Sequence, residues 1–232
     1  GCETRGCAVV AFCRPQTQIS ASPMHIAEGV LAPSILALGG GLTLSGCAIG
    51  LRQISEERLM SVALLSAAFF TASLVHVPIG PASAHLILNG LLGLLLGWAA
   101  FPAITVALLL QALLFQYGGL TTLGINAVNM ALPAILAGYL ARPWLNRDGW
   151  PRLCAAFCCG VMGIAGAAIL TALSLGLSEE GFINAARILV LSHIPVAVVE
   201  GLVSAAAVAF LGKVRPEMLL HSQRYTNKAV QP

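Results

Sequence analysis

Long apolar runs without charge decide what this chain can fold into. Residues 153–176 contain no Asp, Glu, Lys or Arg at all, and residues 189–211 contain a single acid, Glu200. A helix needs about 20 apolar residues to cross the hydrocarbon layer, whereas a lipid-facing barrel strand would alternate apolar and polar positions. The runs here are continuous, so the sequence predicts an all-α integral membrane protein. Charge agrees: only 9% of the residues are charged and mean hydropathy is +0.88, where a soluble domain carries roughly a quarter charged residues. The 24 glycines suit closely packed transmembrane helices.

Seven spans are expected, near 30–50, 59–75, 84–100, 103–117, 127–141, 153–176 and 189–211. The third and fourth come from one apolar stretch, His85 to Phe115, divided at Phe101-Pro102 because a residue preceding proline resists the helical conformation. Charge favours that division. Arg52, Arg58, Arg142, Arg147, Arg152, Lys213, Arg215, Arg224 and Lys228 then fall in loops on one side, and only Arg187 faces the other. The positive-inside rule sets the N-terminus outside and the C-terminus in the cytoplasm. The net charge of +3 is therefore an orientation signal, and a nucleic-acid partner is not expected. The membrane domain is drawn at 24–212, with a cytoplasmic polar tail at 213–232 and a leader or extension at 1–23.

Two uncharged segments fall on the outer side, His76 to His85 and Tyr117 to Asn126, both rich in Gly, Pro, Ser and Thr. They are expected to be irregular backbone, which is tolerated at membrane depth where it lines a cavity or is covered by protein. Of the seven cysteines, Cys2, Cys7 and Cys13 lie in the leader; Cys47, Cys154, Cys158 and Cys159 lie in apolar runs and read as packing.

Residues 24–29, Met-His-Ile-Ala-Glu-Gly, stand at the head of the first span. If the mature chain begins at Met24, its α-amine, the His25 amide nitrogen and the His25 imidazole form fused five- and six-membered chelate rings. Three in-plane nitrogens impose square-planar geometry, which suits Ni²⁺ or Cu²⁺. A second imidazole would complete the plane, and His85 and His76 are both available.

Together with Pro-Ala-Ser-Ala-His-Leu (81–86), Gly-Gly-Leu-Thr-Thr-Leu-Gly-Ile-Asn (118–126) and His-Ile-Pro-Val-Ala-Val-Val-Glu-Gly (193–201), that motif resembles the CbiM/NikM group. These are the substrate-binding membrane components of energy-coupling-factor cobalt and nickel transporters. The resemblance covers Met24 to about Leu211. It implies a seven-helix bundle in the bacterial inner membrane, with Co²⁺ or Ni²⁺ as cargo rather than a resident cofactor. It implies metal ligands at Met24, His25 and His85, with His76 as the runner-up. It further implies a CbiQ-like coupling subunit, CbiO-like ATPases and a small CbiN-like membrane subunit as partners, with cobalt supply for cobalamin synthesis or nickel supply for metalloenzymes as the purpose. Family chains begin at the methionine, so residues 1–23 are read as preceding the true start.

The remaining polar residues of the spans are given roles around that site. Glu28 either orients His25 or caps the first helix; Asn126 and Asn129 tie loop backbone, and Asn126 could also reach a ligand imidazole. His193 and Glu200, seven residues apart, share a helix face and line the cavity or brace a neighbouring helix. Ala63, Ala67, Ala68 and Ala72 offer a small-residue face to the coupling subunit or to internal packing. Arg52, Glu56, Glu57 and Arg58 read as a solvated loop. The chain has no GxxxxGK[ST] motif and is expected to be a transporter subunit that leaves ATP hydrolysis to its partners. The rival functions are a passive divalent-metal channel and a membrane enzyme using His193 and Glu200.

Overall fold

Glycine and alanine at intervals of three and four residues let these helices approach almost to backbone contact, and the fold follows from where that happens. The structure is a computed structural model that describes residues 26, 28–74, 76–79, 82–145, 147–178, 183–216 and 218–219, with backbone alone at 76–79, 82–85, 183, 185 and 186. Residues 1–23, Met24, His25 and residues 220–232 of the tail lie outside the described residues.

Helix α1 (Pro33–Arg52) opens on a proline, which has no N–H to lose at a helix start. After α2 (Glu56–Leu74) comes an antiparallel hairpin of β1 (His76–Ile79) and β2 (Ala82–His85), then α3 (Asn89–Leu96), a 3-10 turn at Gly97–Ala99, and α4 (Ala100–Phe115). The chain closes with α5 (Leu123–Leu145), α6 (Trp150–Gly176) and α7 (Ile183–Val214). Among the described residues, six stretches are long and apolar enough to cross a membrane, with Asn89–Phe115 counted as one.

That stretch is not one rod. With the end of the bundle where α1 begins called the upper end, α3 descends: Gly93 abuts Ala134 of α5, and further down the Leu94 carbonyl accepts from Arg142 Nε at 3.5 Å. Helix α4 climbs back beside α2, with Ser66 Oγ donating to the Ala103 carbonyl at 2.7 Å and Gln111 Nε2 donating to Ser73 Oγ at 2.6 Å. The reversal is at Gly97, φ +59°, ψ −129°, backbone that only glycine adopts readily. Pro102 lies within the first turn of α4, where its missing amide costs nothing.

All eight residues of α3 are buried, as is most of α5, whereas α1, α2, α6 and α7 turn large apolar side chains such as Leu44, Met60, Ile188 and Leu202 outward. Such a shell suits lipid. Gly93 is the tightest crossing: a Cβ there would run into the Ala134 carbonyl.

Several expectations are corrected. The helix expected over 84–100 starts at Asn89, because residues before it are taken up by the hairpin. Within the segment expected to be irregular, residues 76–79 and 82–85 pair as antiparallel strands, with His76 opposite His85. Glu56, Glu57 and Arg58 form the first turn of α2 rather than a loop, and Arg58 reaches the Leu95 carbonyl at 3.4 Å. Arg142 is no loop residue either: it lies inside α5, buried, with Nη2 donating to the Gly93 carbonyl at 3.4 Å and its guanidinium 4.5 Å from the Tyr139 ring centroid. Lastly, the helix expected over 189–211 is longer at both ends, α7 running from Ile183 to Val214.

Candidate metal site

Three pieces of chain converge at the upper end: the residues leading into α1, the segment before α5, and the β1–β2 hairpin. Ile26, which directly follows His25, is buried and held at both backbone atoms. Its amide donates to Asn126 Oδ1 at 3.1 Å, while its carbonyl accepts from Thr122 Oγ1 at 2.8 Å and Asn126 Nδ2 at 3.3 Å. Asn126 Nδ2 also lies 3.3 Å from Thr122 Oγ1, so the two side chains act as one unit. A carboxamide matches a peptide unit, donor against acceptor, which is why asparagine suits this position.

Glu28 adds a second tie. Its Oε1 accepts from the amides of Leu120 at 2.9 Å and Thr121 at 3.4 Å. Gly119 makes room, since a Cβ there would collide with Glu28 Cγ. The helix-capping role expected for Glu28 is thereby replaced: α1 starts five residues later with Ala32 as N-cap, and no side chain caps it. Below, Asn129 and Ser174 exchange hydrogen bonds at 3.3 and 3.4 Å, joining α5 to α6. Ser174 also supports the turn at Ser178, whose Oγ accepts the Ala32 amide at 3.4 Å.

The hairpin supplies the two further histidines as paired residues, His76 opposite His85 in the ladder. Both therefore stand at its open end, next to α2 and the approach to α3. Met24 and His25 lie outside the described residues, two and one positions ahead of the clamped Ile26.

His193 and Glu200 serve separate neighbours. His193 Nδ1 bonds the Leu189 carbonyl at 2.6 Å, within its own helix, and the residue lines an apolar recess between α6 and α7. Glu200 Oε2 accepts the Ile87 amide at 3.2 Å. Among the described residues no hydrogen bond links the two, so the shared face expected from their spacing does not make them a pair. Ala63, Ala67 and Ala68 are exposed and Ala72 partly so, while α2 buries Val62, Phe69 and Ser73. Internal packing is therefore not what this stripe does. Of the cysteines, Cys159 donates to the Gly90 carbonyl at 3.2 Å as a packed group, but Cys154 and Cys158 are exposed on the apolar rim. Sequence reading missed Thr122, fully buried beneath Ile26; its signal was a hydroxyl pair just ahead of a helix start.

Comparison with known proteins bears on this arrangement. Residues 25–218 match the family model described as the cobalt uptake substrate-specific transmembrane region, CbiM. A protein of Haemophilus influenzae named for metal transport is 43% identical over 209 residues, covering 88% of this chain and all of the relative. The cobalt transport protein CbiM of Sorangium cellulosum is 36% identical over 212 residues, covering 84% of this chain and 94% of that one. The fused nickel transport protein NikMN of Rhodobacter capsulatus is 33% identical over 224 residues, covering 84% of this chain and 64% of that longer one. A crystal structure of a transition metal transporter superposes with a TM-score of 0.71 at 30% identity, over 90% of this chain and 100% of that one. On family match, identity and fold together, the chain is a multi-pass membrane protein belonging to the CbiM family of cobalt and nickel transport proteins.

Proposed function

We propose that the protein captures a single Co²⁺ or Ni²⁺ at the upper, outward face of the membrane, as the substrate-binding subunit of an energy-coupling-factor importer. The ligands are the Met24 α-amine, the His25 amide nitrogen and imidazole, and the His85 imidazole, with Met24 as the mature N-terminus. The observation that carries this reading is the clamp on Ile26, whose amide and carbonyl are both held by Asn126 and Thr122. A terminal dipeptide is a poor chelator while it swings free. Fixing the next residue removes that freedom before the metal arrives, so less entropy is lost on binding.

The hairpin brings His76 and His85 together as ladder partners. His85 is favoured over His76 because it leads directly into the buried α3, whose start is held in place. The proposed chemistry is ligand exchange: hydrated metal sheds water and displaces protons from the amide and from any protonated amine or imidazole.

The exposed stripe of Ala63, Ala67, Ala68 and Ala72 is where a coupling membrane subunit would pack, since small residues allow close helix approach. ATPase subunits would act through that subunit. The fused form of the Rhodobacter capsulatus relative supports association with other transporter components. Reconstitution in vesicles with coupling and ATPase subunits tests the whole reading. ATP-dependent uptake of Ni²⁺ or Co²⁺ is expected, abolished by His25→Ala or His85→Ala and retained by His76→Ala. Uptake that needs no ATPase would identify a passive channel and overturn the proposal.

A further inference from the structure

Glu200 is fully buried midway along α7, and its Oε2 accepts the Ile87 amide at 3.2 Å. Leu86, Ile87 and Leu88 join β2, which ends at His85, to α3, which starts at Asn89. Leu88 sits at φ 60°, ψ 25°, a left-handed conformation that a branched aliphatic residue keeps only when its surroundings impose it. Helix α3 has no side-chain cap from its own N-cap residue, and the Asn89 side chain has no hydrogen-bond partner among the described residues. The backbone just ahead of α3 is instead held from another helix, through the Ile87 amide alone, and Glu200 Oε1 has no partner among the described residues. At the other end, Arg142 reaches the Gly93 and Leu94 carbonyls and Arg58 reaches that of Leu95. An acid at the start and cations at the finish match the polarity of a helix. Charged groups from α2, α5 and α7 therefore bracket this short helix along its axis.

We infer that Glu200 is a positioning residue for metal binding: by holding the backbone at Ile87, two residues after His85, it sets where β2 ends and so where His85 stands relative to the proposed Met24–His25 terminus. This rests on His85 being a ligand. What Ile87 needs is an acceptor at the reach of a glutamate side chain, so length matters more than charge.

Glu200→Gln keeps the reach and drops the charge, whereas Glu200→Asp keeps the charge and withdraws the acceptor by one methylene. Calorimetric titration with Ni²⁺ of the purified protein beginning at Met24 is expected to give Glu200→Gln within about threefold of the parent and Glu200→Asp weaker by about 10–100-fold, the usual effect of disturbing a group that orients a metal ligand. Glu200→Asp at parental affinity, or Glu200→Gln as weak as Glu200→Asp, overturns the inference. If Glu200→Asp does not fold, Glu200→Gln decides alone: a tenfold or larger loss in the folded protein overturns it. His85→Ala is titrated beside them. Undiminished binding in His85→Ala removes the ligand reading itself; lost binding there with Glu200→Asp unaffected removes only the positioning role.

Discussion

Two anchors hold backbone beside a candidate metal-binding histidine, and they are built differently. Next to His25, Ile26 is held by two neutral side chains through three hydrogen bonds, with Glu28 adding two more to the facing loop. Next to His85, the entrance to α3 depends on one carboxylate, with a left-handed leucine beneath it. The first anchor is redundant; the second is a single acidic side chain deep in the bundle. With Met24 as the proposed start, redundancy belongs at Ile26, because a segment beside a free terminus has no connection on its far side to restrain it. A single contact suffices at α3, which covalent structure and the buried core already confine.

The largest effect should come from the metal-binding groups themselves. Protons and metal compete for both imidazoles, so affinity falls as pH drops through the ordinary histidine range near 6.5; at about pH 5.5 the loss is about a hundredfold or more, roughly tenfold for each ring. Affinity unchanged between about pH 7.5 and 5.5 would exclude histidine ligation. Next in size is the single anchor. Glu200→Ala strands the buried Ile87 amide ahead of α3 and is expected to cost about 3 kcal/mol, read from thermal unfolding in detergent. Asn126→Ala leaves the Ile26 amide unpaired but lets Thr122 keep the carbonyl, a loss of about 1–3 kcal/mol. Thr122→Val removes one of two donors to that carbonyl and costs about 1 kcal/mol. Should Thr122→Val cost as much as Glu200→Ala, the redundant anchor is not redundant. Glu28→Gln keeps its acceptor at the loop amides and should be the mildest, with unfolding and Ni²⁺ affinity both close to the parent.

The contrast also explains what could be seen in the sequence. Asn126 and Glu200 stand out alone, because polar side chains in apolar runs need partners. Their partners do not: Ile26 lies 100 residues from Asn126 and Ile87 lies 113 from Glu200, and only the packed bundle brings them together. The paired strands were hidden by Pro, Gly and Ser, which read as loop, and their register of His76 against His85 has no local signature. The turn before α4 was visible from loop charges and from Pro102, but glycine's freedom at Gly97 rather than the proline determines where the chain reverses. Arg142 misled, since an arginine near a helix end looks like a loop charge until the carbonyls of α3 appear beneath it. The Met24–His25 chelate was argued from ring sizes and family likeness, and lies outside the described residues.

The account stands on a free amine at Met24. The most direct measurement is a Ni²⁺ titration of two versions of the purified protein, one beginning at Met24 and one retaining residues 1–23, each N-terminus verified by mass spectrometry. The shorter chain should bind one ion with the absorption bands of square-planar nickel, and the longer chain should not. Equal affinity and identical spectra from the two chains would contradict it.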